Sequence, residues 1–305
     1  MVFMMEQPKP SINGYEASIV ASSITNLLPK ETRGEAWVLT ALQAASKFVL
    51  AELGDENTSS KTKQRAAEVL IPLARSFPVV DSFDDELFRR LFEEININAG
   101  GLGNPSLPGF KRRLLQSKMY QVHLDCKLND RASEFRLSSA LEKEYQHVFD
   151  TLENQAKGSS FRLHHLVSNA LDEIGFVNDV SFDTETGYHL DVVAPKEKIA
   201  IEINTAECYQ TVEPGHEDQD PKTLGYVDLK ARHLELLGWT VIQLNARNFQ
   251  QLETQEERVM HMSMLLEVAT NFKQKPATQA ARTLAKVKKN PKKNPHHASL
   301  LERQR

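Results

Sequence analysis

The sequence contains little cysteine and no long apolar run. Its two cysteines, Cys126 and Cys208, provide neither a disulfide framework nor the spacing of a cysteine-rich metal site. No stretch reaches the about 18 consecutive apolar residues of a membrane-spanning helix, so no membrane partner is expected. The N-terminus has no long apolar segment and no arginine before Arg33, which fits neither a secretory signal nor a typical mitochondrial presequence.

The charged residues are also distributed unevenly along the chain. The net charge of −4 combines 37 Lys and Arg residues with 41 Asp and Glu residues. Residues 273–305 hold ten of these basic residues and one acidic residue, which leaves 27 basic and 40 acidic residues, a net of −13, in residues 1–272. Basic tails usually bind polyanions, most often nucleic acid, through phosphate contacts that do not depend on sequence. The alternative is a tail that only solubilises the protein.

Residues 15–157 have the pattern of a helical domain. Capping boxes that begin at Thr32 and Ser82 precede the apolar runs AWVLTALQAASKFVLAEL and ELFRRLFEEI. A third helix, in TKQRAAEVLIPLARSF, is expected to kink at Pro72, and a fourth is expected near 138–157. The apolar stripes of these segments are typical of packing between antiparallel helices.

A different pattern begins after the small residues at 158–160, which suggest a domain junction. An amphipathic helix ending at Gly175 is followed by the strands YHLDVVA and IAIEIN, whose nearly continuous apolar character predicts burial on both faces. A polar loop over 205–223, a helix over 225–237, the strand WTVIQLN and a helix over 253–271 complete a small α/β domain.

Two carboxylates in the strand pair form the candidate reactive site. Adjacent strands would bring Asp191 and Glu202 within reach of one divalent cation, because hard cations prefer carboxylate oxygens. Metal-assisted phosphodiester cleavage also needs a base or a positioned lysine, and the third position holds Asn204, which cannot ionise. The alternative is that Asp191 is a strand-end residue and that Glu202 pairs with a basic residue such as Lys230. We therefore expect no catalytic residues and treat Asp191, Glu202 and Asn204 as vestigial candidates.

Basic residues supply the candidate phosphate contacts. In the folded region these are Lys222, Lys230, Arg232 and Arg247. Because positions i and i+2 of a helix diverge, Lys230 and Arg232 cannot share one face, so one is expected to pair internally while the other faces solvent or phosphate. The tail adds Lys286, Lys288, Lys289, Lys292 and Lys293.

Four landmarks carry a resemblance to a known family. They are, in order, the helix SFRLHHLVSNALDEIG, the strand pair GYHLDVVAPKEKIAIEIN, the block LGYVDLKARHLELLGWTVIQL and a final helix after QLETQEE. This region, about a third of the chain, resembles the RAP domain, an RNA-binding domain abundant in apicomplexans. The resemblance implies a relative of the restriction-endonuclease-like fold. It also implies a role in the RNA metabolism or the ribosomes of mitochondria and plastids.

The resemblance carries over to individual positions. The family's acidic positions match Asp191 and Glu202, its basic helix matches Lys230, Arg232 and Leu234, and the following turn and strand match Gly238 and Val241. Three positions depart from the family: Asn204 replaces an acid, Thr205 a glycine and Cys208 a histidine. These departures weaken the nuclease interpretation.

The sequence thus predicts an α+β protein with an all-α helical domain over 1–157, a small α/β restriction-endonuclease-like RAP domain over 158–272, and a basic extended tail over 273–305. We expect it to bind RNA, above all rRNA, beside neighbouring proteins of a ribonucleoprotein such as the mitochondrial ribosome, with a plastid or another organelle as the alternative location. The rival functions are a metal-dependent RNA endonuclease and a protein–protein adaptor with a degenerate nuclease-like fold. No cofactor is expected, and Mg²⁺ enters only under the nuclease alternative.

Overall fold

The computed structural model describes residues 12–28, 30–97, 107–131, 135–155, 161–209 and 222–270. The chain divides into two compact units that interleave in sequence. The first unit comprises residues up to 156 together with 185–188 and 222–237. The second comprises 157–184, 189–221 and the residues from 238 onward. The five tail lysines between 286 and 293 lie outside the described residues.

The described part of the first unit is helical. Its helices are α1 (Gly14–Leu27), α2 (Lys30–Arg33), α3 (Ala36–Gly54), α4 (Ser60–Gln64), α5 (Ala66–Val80), α6 (Asp85–Ile97), α7 (Gly109–Leu128), α8 (Ser139–Gln155) and α10 (Gly225–Leu236). Helix α5 is the centre of this unit, since almost every side chain in it is buried and it packs against α1, α3, α6, α7 and α10. The prediction of a helical N-terminal region is confirmed.

Two predicted helix starts are wrong in detail. Thr32 does not cap α3, because residues 30–33 form the short helix α2 and Glu35 occupies the N-cap of α3 without a side-chain hydrogen bond. Ser82 does not cap α6 either. The carboxylate of Asp84 accepts a hydrogen bond from the backbone amide of Leu87 at 3.1 Å, which satisfies one of the free amides of the first turn.

Helix α3 has one further property. Within the described ranges it is the one helix long and apolar enough to cross a membrane by length and composition, a test that the core helix of a soluble protein also passes. One face of α3, which includes Val38, Leu42 and Val49, is buried in the helical unit. That face contributes to the core against α1 and α5.

The second unit has a four-stranded sheet in the part of the chain that the structure describes. Its elements are α9 (Phe161–Ile174), β1 (Asp179–Asp183), β2 (His189–Ala194), β3 (Ile199–Asn204), β4 (Thr240–Asn245), α11 (Ala246–Gln250) and α12 (Gln255–Thr270). The strand order is β1-β2-β3-β4, with β1, β2 and β3 antiparallel and β4 parallel to β3. Strands β2 and β3 are largely buried, as their apolar pattern predicts.

The two faces of β3 carry different side chains. Ile199, Ile201 and Ile203 belong to the hydrophobic core that the sheet shares with α9 and α12. The alternating positions of a strand point to opposite faces, so Glu202 and Asn204 lie on the other side of the sheet. This alternation sets the position of the candidate site.

Helix α10 belongs to the first unit, whereas the sequence predicts it within a domain over 158–272. Close packing at its first residue explains this assignment. A Cβ atom added to Gly225 would lie 2.6 Å from Val79 Cγ1 and 2.9 Å from the carbonyl oxygen of Thr25, so only glycine allows this approach. In the first turn of α10, Asp228 forms an ion pair with the buried side chain of Arg33.

Candidate functional site

The acidic site of the second unit lies where the pairing of β2 with β3 stops. The register pairs Val192 with Ile201, so the next residues, Asp191 and Glu202, face each other across the two strands. Beyond that pair, the Asp191 Oδ2 atom accepts a hydrogen bond from the backbone amide of Ile203 at 2.7 Å. The carboxylate thus takes the place of a backbone carbonyl and holds the two strands together.

The strand on the other side of Asp191 is also irregular. The register between β1 and β2 pairs residues 180 with 192 and 182 with 190, so Ser181 lies opposite Asp191. Ser181 has a φ of 61°, which is the left-handed region that non-glycine residues rarely adopt. Backbone strain of this kind occurs often at functional sites.

A buried histidine is an ionisable neighbour of Asp191. The Nε2 atom of His164, on α9, lies 3.5 Å from Asp191 Oδ1. Burial lowers the pKa of His164, and the negative charge of Asp191 only partly offsets this effect. The imidazole is therefore neutral near pH 7, and it acts on Asp191 as a polar neighbour rather than as a cation.

Glu202 and Asn204 are both buried, with exposed fractions of 8% and 5%. The parallel register sets them beside Gln243 and Asn245 of β4. The Nδ2 atom of Asn204 has no hydrogen-bond partner among the described residues. A hydrogen bond links Asn204 with Tyr209, whose pKa burial raises to about 12. The burial that the sequence predicts for Glu202 is therefore present.

The donor set of this site consists of two carboxylates and one amide. One Asp191 oxygen already accepts the Ile203 amide, and the third motif position supplies the amide of Asn204. Within the described ranges, no group of three or more His, Cys, Asp or Glu side chains is arranged to hold a metal ion. Mg²⁺ usually binds one or two carboxylates and keeps several waters, so the missing lysine, rather than the number of carboxylates, weakens the nuclease interpretation.

The basic helix that the sequence analysis assigns to RNA lies in the first unit, and both of its candidates have internal partners. The Nζ atom of Lys230 is 4.0 Å from a carboxylate oxygen of Glu153 and 6.0 Å from the centre of the Tyr188 ring. Arg232 donates to Asp125 Oδ1 at 2.9 Å and to the carbonyl oxygen of Pro78. The expectation that only one of the two would pair internally is therefore wrong.

Arg232 is part of a buried network that the sequence analysis missed. Asp125 is fully buried, and its Oδ1 atom lies 3.1 Å from His233 Nε2. His233 Nδ1 lies 2.8 Å from the hydroxyl of Tyr188. These distances fit a neutral imidazole that donates from Nε2 to Asp125 and accepts at Nδ1 from Tyr188. The network joins α7, α10 and the segment before β2 within the first unit.

The electrostatics of this network follow from burial and pairing. Burial alone would raise the pKa of Asp125, but the hydrogen bond from His233 and the charge of Arg232 lower it overall. Burial lowers the pKa of His233 more than its hydrogen bond to Asp125 raises it. Asp125 is therefore an anion paired with Arg232, and His233 is neutral near pH 7.

The other residues that the sequence predicts as RNA contacts differ in their exposure and in their partners. Arg247, in α11, is exposed. Lys222 is half-exposed, and its Nζ atom lies 3.5 Å from a carboxylate oxygen of Glu31. The tail candidates Lys286, Lys288, Lys289, Lys292 and Lys293 lie outside the described residues.

Comparison with protein families identifies one part of the chain. Residues 201–264 match the family model of the RAP domain, which confirms the resemblance seen in the sequence and is consistent with RNA binding. The match begins in β3 and includes α10, β4, α11 and part of α12. No curated protein matches the sequence.

Proposed function

We propose that this protein, whose residues 201–264 form a RAP domain, binds RNA and serves as a structural or assembly component of an organellar ribonucleoprotein. The RAP match is the observation that carries the RNA-binding part. The basic composition of residues 273–305 supports it, because lysine-rich segments neutralise RNA phosphates. The net negative charge of residues 1–272 favours protein neighbours in addition to RNA.

The mitochondrial ribosome, with rRNA as the ligand, is the particle that we propose first. This choice rests on the sequence resemblance, which implies a role in organellar RNA metabolism, and a plastid particle is the alternative. A fixed component of such a particle needs no cofactor, and we propose none. Its RNA contacts would be phosphate contacts, since these bind rRNA without reading bases.

We propose that the second unit has a restriction-endonuclease-like fold and does not cleave phosphodiester bonds. A helix, three antiparallel strands, and a fourth strand parallel to the third support this assignment. Asp191 and Glu202 face each other as the acidic pair of such a fold would. We propose no catalytic step for two reasons. Asn204 occupies the position at which a nuclease of this fold has a lysine, and Asp191 already accepts a hydrogen bond from a backbone amide.

Sedimentation of organelle extracts tests this proposal. The tagged full chain is expected to sediment with ribosomal particles, and sequencing of ultraviolet-crosslinked RNA is expected to recover rRNA. A Glu202→Gln variant serves as the test of the nuclease alternative, because it removes one charge and keeps the size of the side chain. The variant should give the same particles and the same crosslinks.

Two other results would contradict the proposal in different ways. Free sedimentation with uncut RNA precursors that accumulate only in the Glu202→Gln strain would establish the endonuclease. Sedimentation in a particle that yields no RNA crosslinks to this chain would establish the protein–protein adaptor.

A further inference from the structure

A cavity in the first unit lies between the start of α1 and the helices α3, α4 and α5. Its volume is about 260 Å³. The buried side chains of Val49 and Val69 form an aliphatic wall, whereas Tyr15, with 38% of its surface exposed, lies at the side that is open to solvent. Pockets for small molecules usually measure about 300–1,000 Å³, so this cavity fits one small ring system.

An aromatic ring and a guanidinium group are stacked at the opening of this cavity. The Cζ atom of Arg65 lies 4.6 Å from the centre of the Tyr15 ring, which is the geometry of a cation–π contact. The Nη2 atom of Arg65 also donates to Glu68 Oε2 at 3.0 Å, so the guanidinium is held in place from two sides. Aromatic rings and guanidinium planes of this kind stack on nucleobases, because every base has a π-face.

A carboxylate in the wall of the cavity has one oxygen available as an acceptor. The Oε2 atom of Glu52 accepts a hydrogen bond from the backbone amide of Gly14 at 2.6 Å, which fixes the carboxylate at the start of α1. The other oxygen, Oε1, has no hydrogen-bond or ion-pair partner among the described residues. This oxygen is therefore positioned to accept an N–H group of a ligand in the cavity.

Basic side chains continue from the opening of the cavity across the surface of the unit. Lys111 contacts the same Glu68 oxygen as Arg65, so two cations share one carboxylate. The side chains of Arg65 and Lys111 keep 43% and 39% of their surfaces exposed. Arg112 and Arg113 follow in α7 and form no ion pair within the part of the chain that the structure describes. This surface is therefore basic, although the chain without its tail is acidic.

We infer that this cavity binds one unpaired base of single-stranded RNA, with the adjoining phosphate on the basic surface beside it. Stacking on Tyr15 and Arg65 holds the plane of the base, and the cations outside neutralise the phosphate. The Oε1 atom of Glu52 selects among bases. Cytosine and adenine carry an exocyclic amine that donates to a carboxylate, whereas uracil presents a carbonyl oxygen at that position, which a carboxylate repels.

This inference rests on the proposed RNA binding, and it adds a contact that distinguishes bases to phosphate contacts that do not. A purely structural role of Glu52 makes a different claim. If its carboxylate only held the start of α1, its replacement would change the stability of the protein and leave the preference among bases unchanged. The preference among bases is therefore the quantity to measure.

The test uses the full chain and short fluorescent RNA strands made only of cytidine, only of adenosine or only of uridine. Glu52→Gln replaces one acceptor oxygen by an amide NH₂ group, while the remaining carbonyl oxygen can still accept the Gly14 amide. Glu56→Gln is the matched control, because it removes the same charge from an exposed side chain outside the cavity. Affinities are measured for each strand, and melting temperatures are measured with and without millimolar cytidine monophosphate.

The inference predicts a change of preference rather than a loss of binding. The wild type should bind the cytidine and adenosine strands about tenfold more tightly than the uridine strand, as for one hydrogen-bonded base contact. Glu52→Gln should abolish or reverse this preference, because its amide donates to the carbonyl oxygen of uracil, and Glu56→Gln should keep it. Tyr15→Leu should weaken the binding of all three strands about tenfold through the loss of stacking. Trp37→Leu, which removes an exposed ring outside the cavity, should bind like the wild type.

The other outcomes separate the site from the function. A wild type that binds the three strands equally, or a preference that Glu52→Gln leaves unchanged, would overturn the site and leave RNA binding intact. If Glu52→Gln does not fold, equal affinities of Tyr15→Leu and Trp37→Leu would overturn the site in its place. A wild type that binds no strand would contradict the proposed function as well. If cytidine monophosphate then raised the melting temperature of the wild type but not of Glu52→Gln, the cavity would be a site for a free nucleotide instead.

Discussion

The two units satisfy the charged side chains of their interiors in different ways. In the second unit, the carboxylate of Asp191 accepts the Ile203 amide and lies beside the imidazole of His164. In the first unit, Arg75 meets only neutral amides and Lys118 has no partner among the described residues. The acidic site is thus used by the protein's own backbone, whereas the guanidinium of Arg75 is held by the neutral amides of Gln121 and Asn26. Both charges are thus held by hydrogen bonds within their own unit.

Asp125→Ala should produce the largest effect, because the Oδ1 atom of this fully buried carboxylate contacts both Arg232 and His233. The substitution would leave Arg232 and His233 buried without their acceptor. We expect a loss of about 3–5 kcal/mol in the free energy of unfolding, as for a broken buried ion pair. Urea denaturation measures it. Asp85→Ala is the control, since that side chain is 79% exposed. A loss below about 1 kcal/mol would show that the pairing of Asp125 is unimportant.

Gly225→Ala tests the packing that holds α10 in the first unit. The new Cβ atom would lie 2.6 Å from Val79 and 2.9 Å from the carbonyl oxygen of Thr25, so we expect a loss of about 1–3 kcal/mol from overpacking. Gly109→Ala is the matched control, because Gly109 is likewise the first residue of a helix and a Cβ there would meet nothing within 4 Å. Equal stability of the two variants would mean that α10 does not pack closely there.

Asp191→Ala tests the claim that Asp191 stabilises the strand pair by accepting a hydrogen bond from the backbone. Without its carboxylate, the amide of Ile203 loses its acceptor, and we expect a loss of about 1–3 kcal/mol in stability with unchanged RNA affinity. Asp179→Ala, at the exposed start of β1, should leave both quantities unchanged. An Asp191→Ala variant that keeps its stability and loses an RNA-cleaving activity would contradict this claim and support the nuclease alternative.

The pH dependence of stability should show the smallest effect. Because burial lowers the pKa of His233, the unfolded chain binds a proton near its ordinary pKa of about 6.5 before the folded protein does. Stability is therefore retained above that pH and lost as the pH falls toward the folded pKa. His233→Gln should remove at most about 1.4 kcal/mol per pH unit from this slope. Melting temperatures between pH 7 and pH 5 measure the difference, and an unchanged slope would mean that folding does not shift the pKa of His233.

The sequence predicts those features that depend on local pattern. Strands β2 and β3 follow from their apolar runs, the end of α9 follows from Gly175, and the burial of Glu202 follows from its place within IAIEIN. Strand β1 escapes prediction, because DVSFD alternates between exposed and half-buried residues and contains a left-handed Ser181. No apolar run indicates such a strand.

The features that depend on distant pairs escape prediction for a different reason. Asp125 and His233 are 108 residues apart in sequence, and nothing local indicates that they meet. The available signals are an aspartate within the buried stretch of α7 and a histidine on the apolar face of α10. The unit to which α10 belongs likewise depends on the contact of Gly225 with α1 and α5. Local propensity does not encode such contacts.

The salt dependence of RNA binding tests the central claim most directly, because it separates the contribution of residues 1–272 from that of the basic tail. The full chain is compared with a variant in which the five tail candidates, Lys286, Lys288, Lys289, Lys292 and Lys293, are changed to Gln. We expect the slope of log K against log salt to decrease by at most about 3.5, or 0.7 for each lost phosphate contact, while measurable binding remains. If the variant binds no RNA at any salt concentration, the tail alone binds RNA and the account of the RAP domain is contradicted.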